Sequence, residues 1–458
     1  MTNTSTEPDG LPMPRRLLAA LAILGALALV VIDGAIANVA LPSIALQLNA
    51  TPADTVWIVT DYQLAVVMFL LPASAVGERY GYRRVFSAGV LLFTLASALC
   101  AFAPSMRWLV AARFAQGLGA AAVMPLGLAL LRFTYPRRLL GAAIGWNALT
   151  VALSSAVGPA LGAAILAVAD WRWLFAVNLP IGALVLLAAT RLPRAAGSVR
   201  SVDGLSIALN AGLFAAFVLG CDHLLTAPRL GWGLLLLAAL GLVVLVRREL
   251  PRAAPLIPLD LLRGHSFRIS VIASICCFTA QMASYVALPF YLQHGLGLSV
   301  LDTGLLMTLW PIAVMAAAPL SGRLADRMPT AWLCAAGGLS MALGLGLCAL
   351  VPVEGHLFLF VLFSALAGLG FGFFQTPNNR NMLMTAPRGR SGAAGGMQGM
   401  ARLSGQTLGS LLMGFLFALL PTATAPRWGL AIAAALALAA GLISLLRSPR
   451  AVRAQGTA

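Results

Sequence analysis

The sequence predicts an all-α membrane protein with fourteen transmembrane helices. Three observations predict it: an apolar composition, continuous apolar runs long enough to span a bilayer, and arginines concentrated in alternate loops. Of the 458 residues, 60% are hydrophobic and only 10% charged, and the mean hydropathy is +0.92. A water-soluble globule cannot hide that much apolar side chain. Bilayer hydrocarbon can, at ~20 residues of helix per crossing. The runs are continuous rather than alternating, which favours helices over a β-barrel.

The first six expected spans lie near 18–40, 56–76, 85–103, 108–131, 140–168 and 173–190. Two more lie near 205–225 and 230–246, the first of them interrupted by Cys221-Asp222-His223. The last six lie near 267–292, 303–322, 331–351, 357–376, 393–420 and 428–446. The first run, Leu17 to Ile32, leads into further spans and shows no cleavable signal peptide.

The formal charge of +16 comes with no lysine at all. Arginines cluster at Arg15 and Arg16, at Arg79, Arg83 and Arg84, at Arg132, Arg137 and Arg138, and on through alternate loops to Arg447. The intervening loops hold only Arg107, Arg172, Arg229 and Arg427. This positive-inside pattern places both termini in the cytoplasm of a multi-pass inner-membrane protein. A nucleic-acid partner would need a contiguous basic face, and none is present. The six cysteines sit mostly inside apolar runs without metal-ligand spacing, as small packing residues do. Trp171 and Trp173, near a helix start, read as interface anchors.

An internal echo divides the chain. Glu78-Arg79 follows the second span and Asp326-Arg327 the tenth, each an acid-arginine pair at the Arg-rich end of a helix. The expected organisation is a tail (1–17), a six-helix bundle (18–192), two extra helices with their linkers (193–250), a second six-helix bundle (251–447) and a tail (448–458). Repeated bundles around a central site are how many secondary transporters achieve alternating access.

Four motifs then carry a resemblance. Ile32-Asp33-Gly34-Ala35-Ile36-Ala37-Asn38-Val39-Ala40-Leu41-Pro42 lies in the first span. The loop after the second contains Glu78-Arg79-Tyr80-Gly81-Tyr82-Arg83-Arg84. Arg113-Phe114-Ala115-Gln116-Gly117-Leu118-Gly119 lies in the fourth span and Gly158-Pro159-Ala160-Leu161-Gly162 in the fifth. Together they resemble the fourteen-span drug/proton antiporters of the major facilitator superfamily over nearly the whole chain. Three positions depart from the family pattern: Ser74 and Ala163 replace glycines, and Glu78 replaces an aspartate. Gln375-Thr376-Pro377-Asn378-Asn379, with Arg402, is similar to the subgroup exporting methyl viologen and quaternary ammonium biocides. The resemblance implies two six-helix bundles with two inserted helices, and export of lipophilic cations against protons. The rival substrate is a neutral or anionic antibiotic or metabolite. No cofactor is expected beyond the proton gradient; the partners are drugs, protons and the bilayer, and the chain is a monomer.

Asp33 and Asp61 are the two acids well inside spans. A carboxylate near the bilayer centre costs ~2.5–3.5 kcal/mol on insertion scales, so it should face a cavity or a partner. There a proton and a cationic drug can compete for it. Asp33 matches the family's first-helix acid. Asp61 lies one position past the acid of some relatives, where Thr60 stands, a turn of ~100°, so it either couples protons or is solvated near the outer interface. Arg113 either sets the carboxylate's charge state or snorkels to an interface. Glu78, Arg79, Gly81, Arg83, Arg84, Asp326 and Arg327 are candidate cytoplasmic gate residues. Gly158, Pro159 and Gly162 form the antiporter motif, a small-residue face for close helix approach. Trp57, Tyr62, Trp146, Asn147, Phe278, Gln281, Tyr285, Trp310, Phe374 and Gln375 are candidates for the cavity wall, where aromatic rings can hold a cation. The chain lacks HExxH, paired histidine ligands and a nucleotide loop, so neither an enzyme nor an ATP-driven pump is expected.

Overall fold

In hydrocarbon each segment must close its backbone hydrogen bonds internally, so the apolar runs become helices. The computed structural model describes residues 10–194, 203–252, 255–351, 357–387 and 390–447. Among them the first bundle comprises α1 (Arg15–Gln47), α2 (Pro52–Tyr80), α3 (Tyr82–Ala101), α4 (Met106–Thr134), α5 (Leu140–Val168), α6 (Arg172–Ala176) and α7 (Asn178–Ala189). The last two, broken at Val177, make one span. A hairpin of α8 (Gly204–Thr226) and α9 (Pro228–Glu249) follows. The second bundle comprises α10 (His265–Phe290), α11 (Val300–Leu324), α12 (Thr330–Leu350), α13 (Leu357–Thr385), α14 (Ser391–Leu419) and α15 (Ala425–Leu445). Of the fourteen spans, thirteen are long and apolar enough to cross a membrane by length and composition. The remaining one, α14, carries Gln398, Arg402 and Gln406 among glycines, which dilutes its apolar character.

Several helices overrun the expected spans, because a helix can continue past the hydrocarbon while its apolar run stops. Thus α1 extends to Gln47, α13 to Thr385, and α8 continues through Asp222 and His223 to Thr226. Capping explains two starts on the Arg-poor side. Asp54 N donates to Thr51 Oγ1 (3.2 Å) and Thr51 N to Asp54 Oδ2 (3.0 Å), a reciprocal capping box opening α2. Ser299 likewise accepts from Asp302 N (3.1 Å) to open α11. At the other end of α2, Gly81 adopts φ +98°, a conformation few L side chains take, and so separates α2 from α3.

The two bundles repeat the same close approaches. A Cβ at Gly117 would come within 2.4 Å of Tyr62 O and 2.8 Å of Ala65 Cβ, locking α4 to α2. A Cβ at Gly368 would come within 2.7 Å of Trp310 O and 2.9 Å of Ala313 Cβ, locking α13 to α11. Small residues at such crossings let backbones touch, which is how membrane helices gain packing energy.

The bundles meet along two seams. At α2–α14, Ser410 Oγ donates to Gln63 Oε1 (3.1 Å), and Gly396 lies against Leu71 farther along. The hairpin backs this seam, with Asn210 Nδ2 of α8 donating to Met68 O of α2 (2.7 Å). At α5–α11, Gly304 packs on Pro159 and Ala163 near the Arg-poor end. Toward the Arg-rich end, Gly141, Gly145 and Gly322 face open space. The α5–α11 seam is therefore in close contact near its Arg-poor end.

The hairpin is pinned at its Arg-rich end by a group the sequence did not flag. Asp203 accepts from Arg248 Nε (3.2 Å) and Ser206 Oγ (2.6 Å) and pairs with Arg252. The wholly buried Glu249 accepts from Arg252 and Leu256 N and lies 2.6 Å from Ser206 Oγ, whose single proton Asp203 and Glu249 share as alternative acceptors. Hydrogen bonds from Arg248 and Ser206, with the Arg252 charge, hold the Asp203 carboxyl well below the usual carboxylate range.

Candidate functional site

The polar centre of the first bundle is built around Asp33, which is 1% exposed on α1. Arg113, fully buried on α4, donates from Nη1 to Asp33 Oδ2 at 2.5 Å. Gln116 Nε2, one turn on, donates to Asp33 Oδ1 (2.9 Å) and to Ser97 Oγ of α3 (2.8 Å). Asn178 Nδ2 of α7 donates to the same Oδ1 (2.7 Å). Arg113 is held in turn by Gln116 Oε1 (2.6 Å) and by Ile58 O of α2 (3.0 Å), with its guanidinium 4.3 Å over the Tyr62 ring. The Gly117 contact makes this possible, because it brings α2 against α4 one residue from Gln116.

This arrangement excludes the snorkelling alternative for Arg113, whose charge is spent on Asp33 inside the bundle. Two buried charges with satisfied hydrogen bonds are tolerable, whereas one alone is strongly destabilising. Each charge of the Asp33–Arg113 pair is thus compensated by the other inside the bundle. Sequence reasoning missed Ser97 and Asn178. Asn178, a polar residue at the head of an apolar run, was a readable signal; Ser97 looks like any packing serine.

Asp61 sits apart from this group. It is partly buried, whereas Thr60 points inward and is buried. No hydrogen bond or ion pair joins Asp61 to Asp33 or Arg113 among the described residues. Its electrostatic neighbour is Asp222 of α8. Trp57, on the same face of α2, donates from Nε1 to Asp222 Oδ1 (3.2 Å), which ties it to the hairpin.

Among the expected wall residues, Phe278, Tyr285 and Trp310 come together. Tyr285 meets Trp310 edge-on at 5.8 Å, and Phe371 meets Phe278 edge-on at 5.4 Å. Gln281 is buried with Oε1 unpartnered. Tyr62 belongs to the Asp33 group instead. Phe374 is a core residue whose backbone lies against Gly337 of α12, while Gln375 and Asn147 are partly buried and Trp146 is 57% exposed. Trp171 corrects the interface-anchor reading: it is 0% exposed and meets Phe175 edge-on at 6.1 Å, because the start of α6 packs against α1 and α3 inside the bundle. Trp173 is exposed.

Of the gate residues, Asp326 pairs with Arg380 at 2.6 Å, linking the loop after α11 to the end of α13. Arg79 stacks on Tyr80 (5.4 Å) and Arg83 donates to Leu192 O (3.4 Å), while Glu78 is partly buried and Arg84 and Arg327 are exposed. The antiporter motif lies where α1, α5 and α11 meet. A Cβ at Gly158 would come within 2.5 Å of Ala35 Cβ, Gly162 faces Ile36, and Pro159 lies against Gly304.

The second bundle has its own polar group without an acid. Asn378 Nδ2 donates to Ser274 Oγ (2.7 Å) and Ser270 O (3.2 Å), and Asn378 Oδ1 accepts from the buried Arg447.

The comparisons agree with this architecture. A family model described as Major Facilitator Superfamily matches residues 23–271 and 270–458. The chain is 44% identical over 416 residues to "Uncharacterized transporter YebQ" of Escherichia coli, covering 89% of this chain and 90% of that one. It is 32% identical over 413 residues to "Multidrug resistance protein Stp" of Mycobacterium tuberculosis, covering 86% and 75%. In fold it is similar to a POT family transporter crystallised with 5-aminolevulinic acid, at a TM-score of 0.74 and 15% identity over 95% of this chain and 96% of that one. The repeated bundles, the inserted hairpin and these matches lead to one assignment: the chain belongs to the Major Facilitator Superfamily and is a membrane transporter.

Proposed function

We propose that this transporter is a proton-coupled exporter of lipophilic drugs, with Asp33 as the proton-coupling carboxylate and Arg113 as its counter-charge. The observation that carries the reading is the buried Asp33–Arg113 pair with Gln116 and Asn178, a titratable group in an otherwise acid-poor interior. The Arg-rich side is the cytoplasm of a bacterial inner membrane, and both termini lie there. The chain works as a monomer without a bound cofactor. Proton entry to Asp33 frees Arg113, and the bundles rock about the small-residue seam at Gly158, Pro159 and Gly304.

The viologen and quaternary ammonium class would have to meet a free carboxylate. Asp33 is committed to three donors, so the acid left free for such a cation is Asp61, partly exposed beside Trp57 and Asp222. One proton per monovalent cation is electrically neutral, so the pH difference would drive it at ~1.4 kcal/mol per unit. The test is substrate-induced proton movement in purified protein and pH-driven dye efflux from proteoliposomes. Proton-coupled efflux should be present in the wild type and absent in Asp33→Asn. Full coupled efflux in that variant would overturn the assignment.

A further inference from the structure

Among the described residues, Arg113, Arg402 and Arg447 are arginines drawn into the bundles whose surroundings differ. Arg113 faces Asp33. Arg447 has no carboxylate but donates to Asn378 Oδ1, to Cys334 Sγ (3.4 Å) and to Ser444 Oγ (3.3 Å). Arg402 has neither: its Nε is buried without a partner, and among the described residues its guanidinium makes no hydrogen bond or ion pair. It lies eleven residues into the 29-residue α14, about 16 Å from the Arg-rich end at 1.5 Å per residue. That depth puts it beyond the reach of a snorkelling side chain. An uncompensated cation at the midplane is costly, and intramembrane charges normally mark a ligand path or a partner.

The surroundings of Arg402 show which ligand would repay that cost. Three residues before it, Gly399 packs on Leu70 of α2; three residues after it, Gly405 packs on Ile275 O and Phe278 Cβ of α10. Arg402 therefore occupies the junction of α2, α10 and α14, one turn from the aromatic group of Phe278, Phe371, Trp310 and Tyr285. Tyr62, the ring beneath Arg113, is its electrostatic neighbour. Although surrounded by protein, Arg402 retains some accessible surface.

We infer that Arg402 docks an acidic group, a carboxylate or phenolate, of an aromatic transported compound whose rings lie against the Phe278 group. This rests on the export reading for the direction of transport, and it turns the substrate from a lipophilic cation to a lipophilic aromatic acid. A guanidinium meets a carboxylate through two parallel N–H donors, which an ammonium cannot reproduce in geometry though it can in charge. Exporting a monoanion against one inward proton also moves two charges in the same electrical sense. Membrane potential would then drive it, unlike a neutral cation exchange.

The test uses the full chain in detergent and proteoliposomes, with fluorescein as the aromatic acid and ethidium as an aromatic cation. Fluorescein should bind the wild type, bind Arg402→Gln at least about tenfold more weakly, and bind Arg402→Lys with an intermediate affinity. Ethidium binding should not weaken in Arg402→Gln, and that variant should melt no lower than wild type, because it loses an unpaired buried charge. Three results would overturn the proposal: no fluorescein binding by wild type, unchanged binding by Arg402→Gln, or equal loss of both dyes with a lowered melting temperature. Proton movement on fluorescein addition separates the two readings. Arg402-dependent binding with proton uptake, or with no proton change in either wild type or Asp33→Asn, leaves the acid site standing and removes proton antiport.

Discussion

The two bundles share their packing and differ in their charge. Gly117 against Tyr62 and Ala65 in the first has its counterpart in Gly368 against Trp310 and Ala313 in the second. The Thr51–Asp54 start of α2 is likewise echoed by Ser299–Asp302 at α11. At the polar centres the likeness ends: the first holds Asp33 with Arg113, the second Asn378 with Arg447. A duplicated scaffold needs the same backbone crossings in both halves, because close helix contact is what holds a bundle together in lipid. On the proposed mechanism, only one half needs a titratable carboxylate. The difference teaches that shape is repeated and chemistry is not.

The largest effect should come from removing the acid of the first half. Asp33→Asn should cut proton-coupled transport by about 100-fold or more, in line with loss of a group that carries the proton. Asn378→Ala, at the neutral centre of the second half, should leave coupling intact and cost ~1–3 kcal/mol of stability for the hydrogen bonds lost. Equal loss of coupling in both variants, measured as pH-driven efflux, would erase the asymmetry.

Arginine removal sharpens the same contrast. Arg113→Gln leaves Asp33 buried without its cation and should destabilise by ~3–5 kcal/mol. Arg447→Gln strands no carboxylate and should cost ~1–2 kcal/mol. Thermal melts of the two variants in one detergent compare them directly, and a larger loss for Arg447→Gln would reverse the assignment of charge to the first bundle.

The packing likeness predicts matched losses. Gly117→Val and Gly368→Val each push a side chain into a neighbouring carbonyl and should each cost ~1–3 kcal/mol or more. A loss confined to one half would break the repeat.

The smallest effect concerns the hairpin. The carboxyl of Asp203 titrates below the ordinary range in the folded protein, against ~3.9 unfolded. Its contribution is therefore complete above that unfolded value and is lost as pH falls toward the folded one. Asp203→Asn should lower stability slightly at pH 7, by ~0–1 kcal/mol for a partly exposed ion pair. It should also flatten the acid slope below pH ~4 in melts read across pH.

The sequence by itself determined the membrane class, the number of spans and the gathering of the arginines in alternate loops. Those follow from hydrocarbon length and from the cost of burying charge, and both are properties of a linear string. It also pointed to Asp33, Arg113 and the Gly158-Pro159 element, because an acid or a glycine run inside an apolar segment stands out. Which partners Asp33 keeps was decided in three dimensions: Asn178 is 145 residues away and Ser97, which accepts from Gln116, is an ordinary serine until the helices cross. The same holds for Trp171, buried where the start of α6 packs against α1 and α3. Asp61 and Arg402 differ in kind. Both are charges in apolar runs, but only the packing shows that one has an acidic neighbour across the α2–α8 contact and the other has no partner. A carboxylate or guanidinium announces itself in one dimension, whereas its compensation depends on what the tertiary structure places beside it.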